Sequence, residues 1–129
     1  MATNTVTQQM LTTVISDITF SDTGTFNIGN LPPKAVLVDL KVNVTTAFDS
    51  VTSDSLAIGY GAAGGVSADD DAFETAVDLQ SAGNASLTIL NVGQEIDSSI
   101  NLPLTAKVTS AGGSLSAGAA TIVFTYAQK

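Results

Sequence analysis

The sequence predicts an all-β fold, an antiparallel β-sandwich or jelly-roll-like barrel of about seven strands, with one short inserted helix and an extended N-terminal arm. Three observations carry this prediction. Apolar and polar residues alternate at period two through most of the chain, as in half-buried strands. Clusters of Gly, Asp, Asn, Ser and Pro separate these segments at short intervals. Only residues 69–79 space their apolar side chains as a helix does. The 129 residues suit one domain, residues 10–129, large enough for a core without cross-links and preceded by an arm over residues 1–9.

The clearest strand lies in residues 31–48. Val36, Val38, Leu40, Val42 and Val44 fall on one face, and Asp39, Lys41, Asn43 and Thr45 on the other. Pro32 and Pro33 hold the chain extended at its entry, because proline lacks an N–H donor and restricts the residue before it.

Residues 1–9 are polar apart from Val6 and the initial methionine and alanine, and show no helix signal. From Met10 onward, Val14, Ile18 and Phe20 keep even positions, with Leu11 and Ile15 breaking the alternation. Asp22-Thr23-Gly24 is turn chemistry and Phe26 and Ile28 start a second strand, so a hairpin is expected. Beyond Phe48, a polar run leads to Leu56, Ile58 and Tyr60, expected to form another hairpin with the main strand.

The expected helix, residues 69–79, opens on Asp69, Asp70 and Asp71, where a helix dipole favours carboxylates, and aligns Phe73, Ala76 and Val77 on one face. A strand of unclear register is then expected from Leu87, Ile89, Leu90 and Val92. Leu102, Leu104, Ala106 and Val108 line one face of a strand whose Pro103 assigns its start to an edge or entry position. The glycine turn at Gly112-Gly113 and the strand through Ile122, Phe124 and Tyr126 complete a closing hairpin.

Composition restricts function. Four lysines, no arginine and twelve carboxylates give a net charge of −8, which opposes binding to nucleic acid or anionic membranes. With neither histidine nor cysteine, the common nucleophile–base pairs cannot form, so no enzyme activity and no cofactor are expected. No apolar run approaches the roughly 18 residues of a membrane-spanning helix, and the first residues lack a secretory pattern. Charged residues are 12% of the chain against 44% hydrophobic, and mean hydropathy is +0.33. Such a surface keeps neighbours apart weakly, which points to an assembly.

Two motifs are read and set aside. Gly59-Tyr60-Gly61-Ala62-Ala63-Gly64 matches a dinucleotide-binding pattern, but Asp69, Asp70 and Asp71 would repel the pyrophosphate from the helix start. No metal is expected. The alternative ligand set is Asp69, Asp71 and Glu74, oxygen donors suited to Ca²⁺, which lack the spacing of an EF-hand.

A resemblance adds to this reading. Asp22-Thr23-Gly24-Thr25-Phe26, the strand Leu31-Pro32-Pro33-Lys34-Ala35-Val36-Leu37-Val38 with its continuation to Phe48, Asp71-Ala72-Phe73 and the terminal Ala117-Gly118-Ala119-Ala120-Thr121-Ile122-Val123-Phe124-Thr125-Tyr126 carry it. Over residues 22–126 the chain resembles tailed-bacteriophage head decoration proteins, the capsid cement proteins made beside the major capsid protein. The resemblance implies a β-rich homo-oligomer on the outer capsid surface of the virion, made in the host cytoplasm, that locks neighbouring capsomers together. A trimer is the implied assembly, with a dimer as the alternative; the partner is the major capsid protein. The arm would dock on a neighbour, with Val6, Met10 and Leu11 as interface anchors. A phage tail or fibre subunit and a carbohydrate-binding β-sandwich module are the alternative readings.

Overall fold

A computed structural model describes residues 11–96 and 98–128. Eight strands run in chain order: β1 (Leu11–Thr19), β2 (Gly24–Leu31), β3 (Ala35–Thr46), β4 (Ser53–Tyr60), β5 (Asp69–Asp78), β6 (Gly83–Asn84), β7 (Leu102–Ala111) and β8 (Ala119–Gln128). They form two four-stranded sheets, ordered β1-β8-β3-β6 and β2-β7-β4-β5, and every paired strand is antiparallel. Strands therefore alternate between sheets along the chain except at β4–β5, which is the order of a jelly roll.

The sheets pack face to face through side chains whose burial drives the fold. Phe73 of β5 meets Phe124 of β8 edge-on, with ring centroids 5.1 Å apart, joining the two sheets. Leu40, Val42 and Val44 of β3, Ile122 of β8 and Leu102, Leu104 and Ala106 of β7 are buried around that contact. β7 and β8 keep the predicted inward faces throughout.

Several expectations are corrected. Among the described residues there is no helix, and residues 69–78 form strand β5. The pairing is irregular: the two-residue step from Leu56 to Ile58 on β4 matches a three-residue step from Val77 to Glu74 on β5, and the next, Ile58 to Tyr60, matches a five-residue step from Glu74 to Asp69. These bulges break period two: Ala72, Phe73 and Glu74 are buried in succession, Thr75 and Ala76 are both exposed, and Val77 is buried again. The described strands number eight. None of the three expected hairpins forms, because β1 and β2, β3 and β4, and β7 and β8 lie in opposite sheets. Residues 87–92 form no strand; Val92 only bridges Leu37.

The main strand β3 is central in its sheet, between β8 and β6, but its phase shifts. A bulge between Leu37 and Asp39 turns Ala35 and Leu37 inward before it and Leu40, Val42 and Val44 after it. Val38 is consequently exposed and Val36 only half-buried. Pro103 sits near the start of the inner strand β7, so its entry role holds and its edge role does not.

Candidate interaction surface

The two outer faces of the sandwich differ in chemistry. On the first sheet, inward β1 residues are Val14, Ser16 and Ile18, so Leu11, Thr13, Ile15 and Asp17 point out. Register places Leu11 beside Ala127 and that beside Val36, and Ile15 beside Val123 and that beside Lys41. Leu11 is 57% exposed, Ile15 67% and Val38 41%, giving an apolar strip across β1, β8 and β3 that is crossed by the row Thr13, Thr125 and Asp39 and bordered by Lys41. Its polar members are paired: Thr121 donates to Asp17 Oδ1 at 2.7 Å, and the Thr13 and Thr125 hydroxyls lie 3.2 Å apart.

The second sheet turns out small and polar groups instead, among them Ser55 and Ala57 of β4 and Lys107 and Thr109 of β7. The start of β5 folds over this face. Gly59 is covered by the Asp69–Asp70 backbone, and a Cβ there would collide with the Asp69 carbonyl oxygen. Lys107 Nζ reaches Asp70 Oδ2 at 3.2 Å, and Thr105 is buried beneath. The glycines of the dinucleotide-like motif thus serve close packing: Gly59 under β5 and Gly61 against the Pro103 ring.

Of the anticipated interface anchors, Leu11 opens β1 on the exposed strip. Val6, Met10 and the arm over residues 1–9 lie outside the described residues. Ile15 and Val38 belong to the strip and sequence reasoning missed them as anchors. The signal was present for Ile15, an apolar residue out of phase with the core-facing positions of its own strand.

The three acids considered for Ca²⁺ are split by the pleat. Asp69 and Asp71 are exposed, and a hydrogen bond that the protonated Asp69 carboxyl donates to the Asp71 side chain, then desolvation, raises the Asp69 carboxyl above the ordinary aspartate value. Glu74 points inward with 2% exposure. Burial pushes its carboxyl above the ordinary glutamate value, against hydrogen bonds from the Thr88, Thr75 and Ala76 amides. No described group of three acids, histidines or cysteines has the arrangement of a metal site.

Other carboxylates hold loops. Buried Asp54 is opposed by desolvation, yet hydrogen bonds from Ser110, Ser50 and Gln80 together lower its pKa. Its Oδ2 accepts from Ser50 N at 3.0 Å and Gln80 Nε2 at 2.9 Å, tying the β3–β4 loop to the end of β5. Asp49 accepts from the Ser116 hydroxyl and from the Ser116 and Ala117 amides, which lowers its pKa and pins the β7–β8 loop. The aromatic rings stack within the protein: Tyr60 lies 6.2 Å from Phe73 and Tyr126 6.3 Å from Phe124, centroid to centroid.

No protein-family model matches the sequence, and no curated protein matches it. The fold has counterparts among solved structures. It is similar to a chain of the cyanophage Pam1 capsid asymmetric unit, with TM-score 0.69 and 12% identity over 100% of this chain and 92% of that one. It is similar to a chain of the Ralstonia phage GP4 capsid, with TM-score 0.66 and 19% identity over 100% and 92%. A chain of the acidic stable capsid of Helicobacter pylori bacteriophage KHP30 gives TM-score 0.59 and 12% identity over 94% and 90%. At these identities what is shared is the jelly-roll architecture.

Proposed function

We propose that this chain is a non-enzymatic structural protein of a phage virion, which binds the outer surface of the capsid and cements neighbouring capsomers. The observation that carries the reading is the apolar strip through Leu11, Ile15 and Val38 on the outside of a domain whose buried carboxylates are engaged in structure. A cement protein needs a rigid scaffold and an apolar contact surface, and no catalytic group. The shared architecture with chains of three phage capsid structures supports the same role. The major capsid protein is the partner, the protein acts as a homo-oligomer, and residues 1–9 extend the contact with Val6, Met10 and Leu11 as anchors.

Incubation of the purified protein with decoration-free capsids, followed by sedimentation, tests this. Co-sedimentation with expanded heads, and greater resistance of those heads to heat, is the expected result. Protein left in the supernatant defeats the proposal. Removing residues 2–9 is expected to abolish binding while leaving the circular dichroism spectrum unchanged; full occupancy by the shortened protein would exclude the arm as an anchor.

A further inference from the structure

The four outer strands of the two sheets are not equally protected. β6 is two residues long, β2 is bulged between Asn27 and Gly29, and β5 is bulged twice and begins with three aspartates. Shortness, bulges and charge are the devices that prevent sheet edges from pairing. β1 is long and unbulged and carries little charge. It runs nine residues in unbroken register with β8, without proline or lysine, and Asp17 is its single charge.

Backbone accounting shows which groups that edge presents. Phe20 N donates to Gly118 O at 3.0 Å, extending the β1–β8 register by one pair. Bonded pairs alternate in an antiparallel ladder, so Thr12, Val14, Ser16 and Ile18 bond to β8 and the odd residues face away. Thr19, the last odd residue, is already capped: its N–H donates to Asp22 Oδ2 at 2.9 Å, and its carbonyl accepts from Asp22 N at 2.9 Å. Leu11, Thr13, Ile15 and Asp17 remain, and no described strand pairs with them.

These four residues are symmetric about Val14. We infer that β1 pairs antiparallel with β1 of a second copy about a twofold axis at Val14, joining two four-stranded sheets into one of eight. This rests on the oligomeric reading above and selects the dimer. In this register Leu11 bonds to Asp17 of the second copy and Thr13 to Ile15, so every uncapped odd residue finds a partner. Equal direction and parity keep outward side chains beside outward side chains, with each outward apolar residue facing a polar one, Leu11 beside Asp17 and Ile15 beside Thr13, and the two Ile15 side chains on a diagonal at the centre. Charge permits it despite −8 per chain: the two Asp17 carboxylates stand six residues apart along the strand, about 20 Å, beyond the roughly 8 Å screening length at physiological salt. Leu11, the first described residue, then lies at opposite ends of the joined sheet in the two copies.

Analytical ultracentrifugation of the full chain without capsids is expected to show a dimer. Hydrogen exchange is expected to protect the amides of Leu11, Thr13, Ile15 and Asp17 more as protein concentration rises. Ile15→Pro removes only an outward-facing N–H, so it is expected to yield a monomer with unchanged circular dichroism. Val14→Pro breaks the β8 ladder and serves as the unfolding control. A monomer or trimer of the unmodified chain, or a dimer that survives Ile15→Pro, overturns the inference. So does protection of those amides that arises only on capsids, which would assign the edge to a capsid segment. Capsid co-sedimentation is read independently, so failure of the dimer and failure of the cement role are separable.

Discussion

β1 and β5 are both long outer strands of the same sandwich, and they solve the problem of an exposed edge in opposite ways. β5 gives up regular pairing. Its bulges fold Asp69 and Asp70 over Gly59, bring Phe73 into the core, and leave a charged, irregular rim. β1 keeps a straight ladder and exposes Leu11 and Ile15 on its outer face, and no other described strand pairs with its outer edge. The difference shows that the two outer strands expose unlike surfaces, although Val51 in the β3–β4 loop and Leu90 and Val92 after β6 are exposed apolar residues as well. Among the described residues, one outer edge is folded over by its own chain, while the other is the edge for which a partner is proposed.

Substitutions on the two sides should therefore fail differently. The largest effect is expected at Gly59, where a methyl group meets the β5 backbone and neither strand can yield easily. Gly59→Ala is expected to cost about 3 kcal/mol in urea unfolding, at the upper end for an overpacked site. A loss below about 1 kcal/mol would mean that the β5 bulge is not tightly held over β4.

Glu74 gives an intermediate and pH-dependent effect. Its folded pKa is raised, so the folded state binds the proton more strongly than the unfolded one. Stability therefore falls as pH rises from the ordinary glutamate value through the raised one, and levels off above it. Glu74→Gln is expected to remove that fall, so the stability of the variant relative to the native chain increases across the same window. Thermal melts at a series of pH values read the difference; parallel curves would show that Glu74 ionises without cost.

The smallest effect on stability is expected at Ile15, which is exposed on β1. Ile15→Thr keeps a β-branched residue and is expected to change unfolding free energy by less than about 0.5 kcal/mol. Its effect belongs to assembly: the variant should show weaker co-sedimentation with capsids. Native-like binding by Ile15→Thr would remove the outer face of β1 from the contact.

How legible the chain was depended on whether a strand keeps period two. β7 and β8 do, and Leu102, Leu104, Ala106, Val108, Ile122 and Phe124 all point inward as their spacing indicates. β3 was half legible, since the bulge after Leu37 sends Val38 to solvent although it continues the apolar pattern. β5 was misread as a helix because its bulges abolish alternation, leaving Ala72, Phe73 and Glu74 buried together and Thr75 and Ala76 both exposed. The apolar strip was legible only at Leu11; Ile15 looked like a defect in its strand until the pairing with β8 showed which face was the core.

The amino-acid sequence by itself determined the class of the fold, the inward faces of its regular strands and the poverty of catalytic groups, because these follow from side-chain chemistry and local periodicity. Tertiary structure alone decided the pairing. Asp22-Thr23-Gly24 and Gly112-Gly113 read as hairpin turns, yet each carries the chain from one sheet to the other. Turn chemistry fixes a change of direction over a few residues, whereas the partner of a strand is chosen by distant residues that share its buried face. The bulges and the open edge of β1 arise at that second level, and so does the surface on which the proposed function rests.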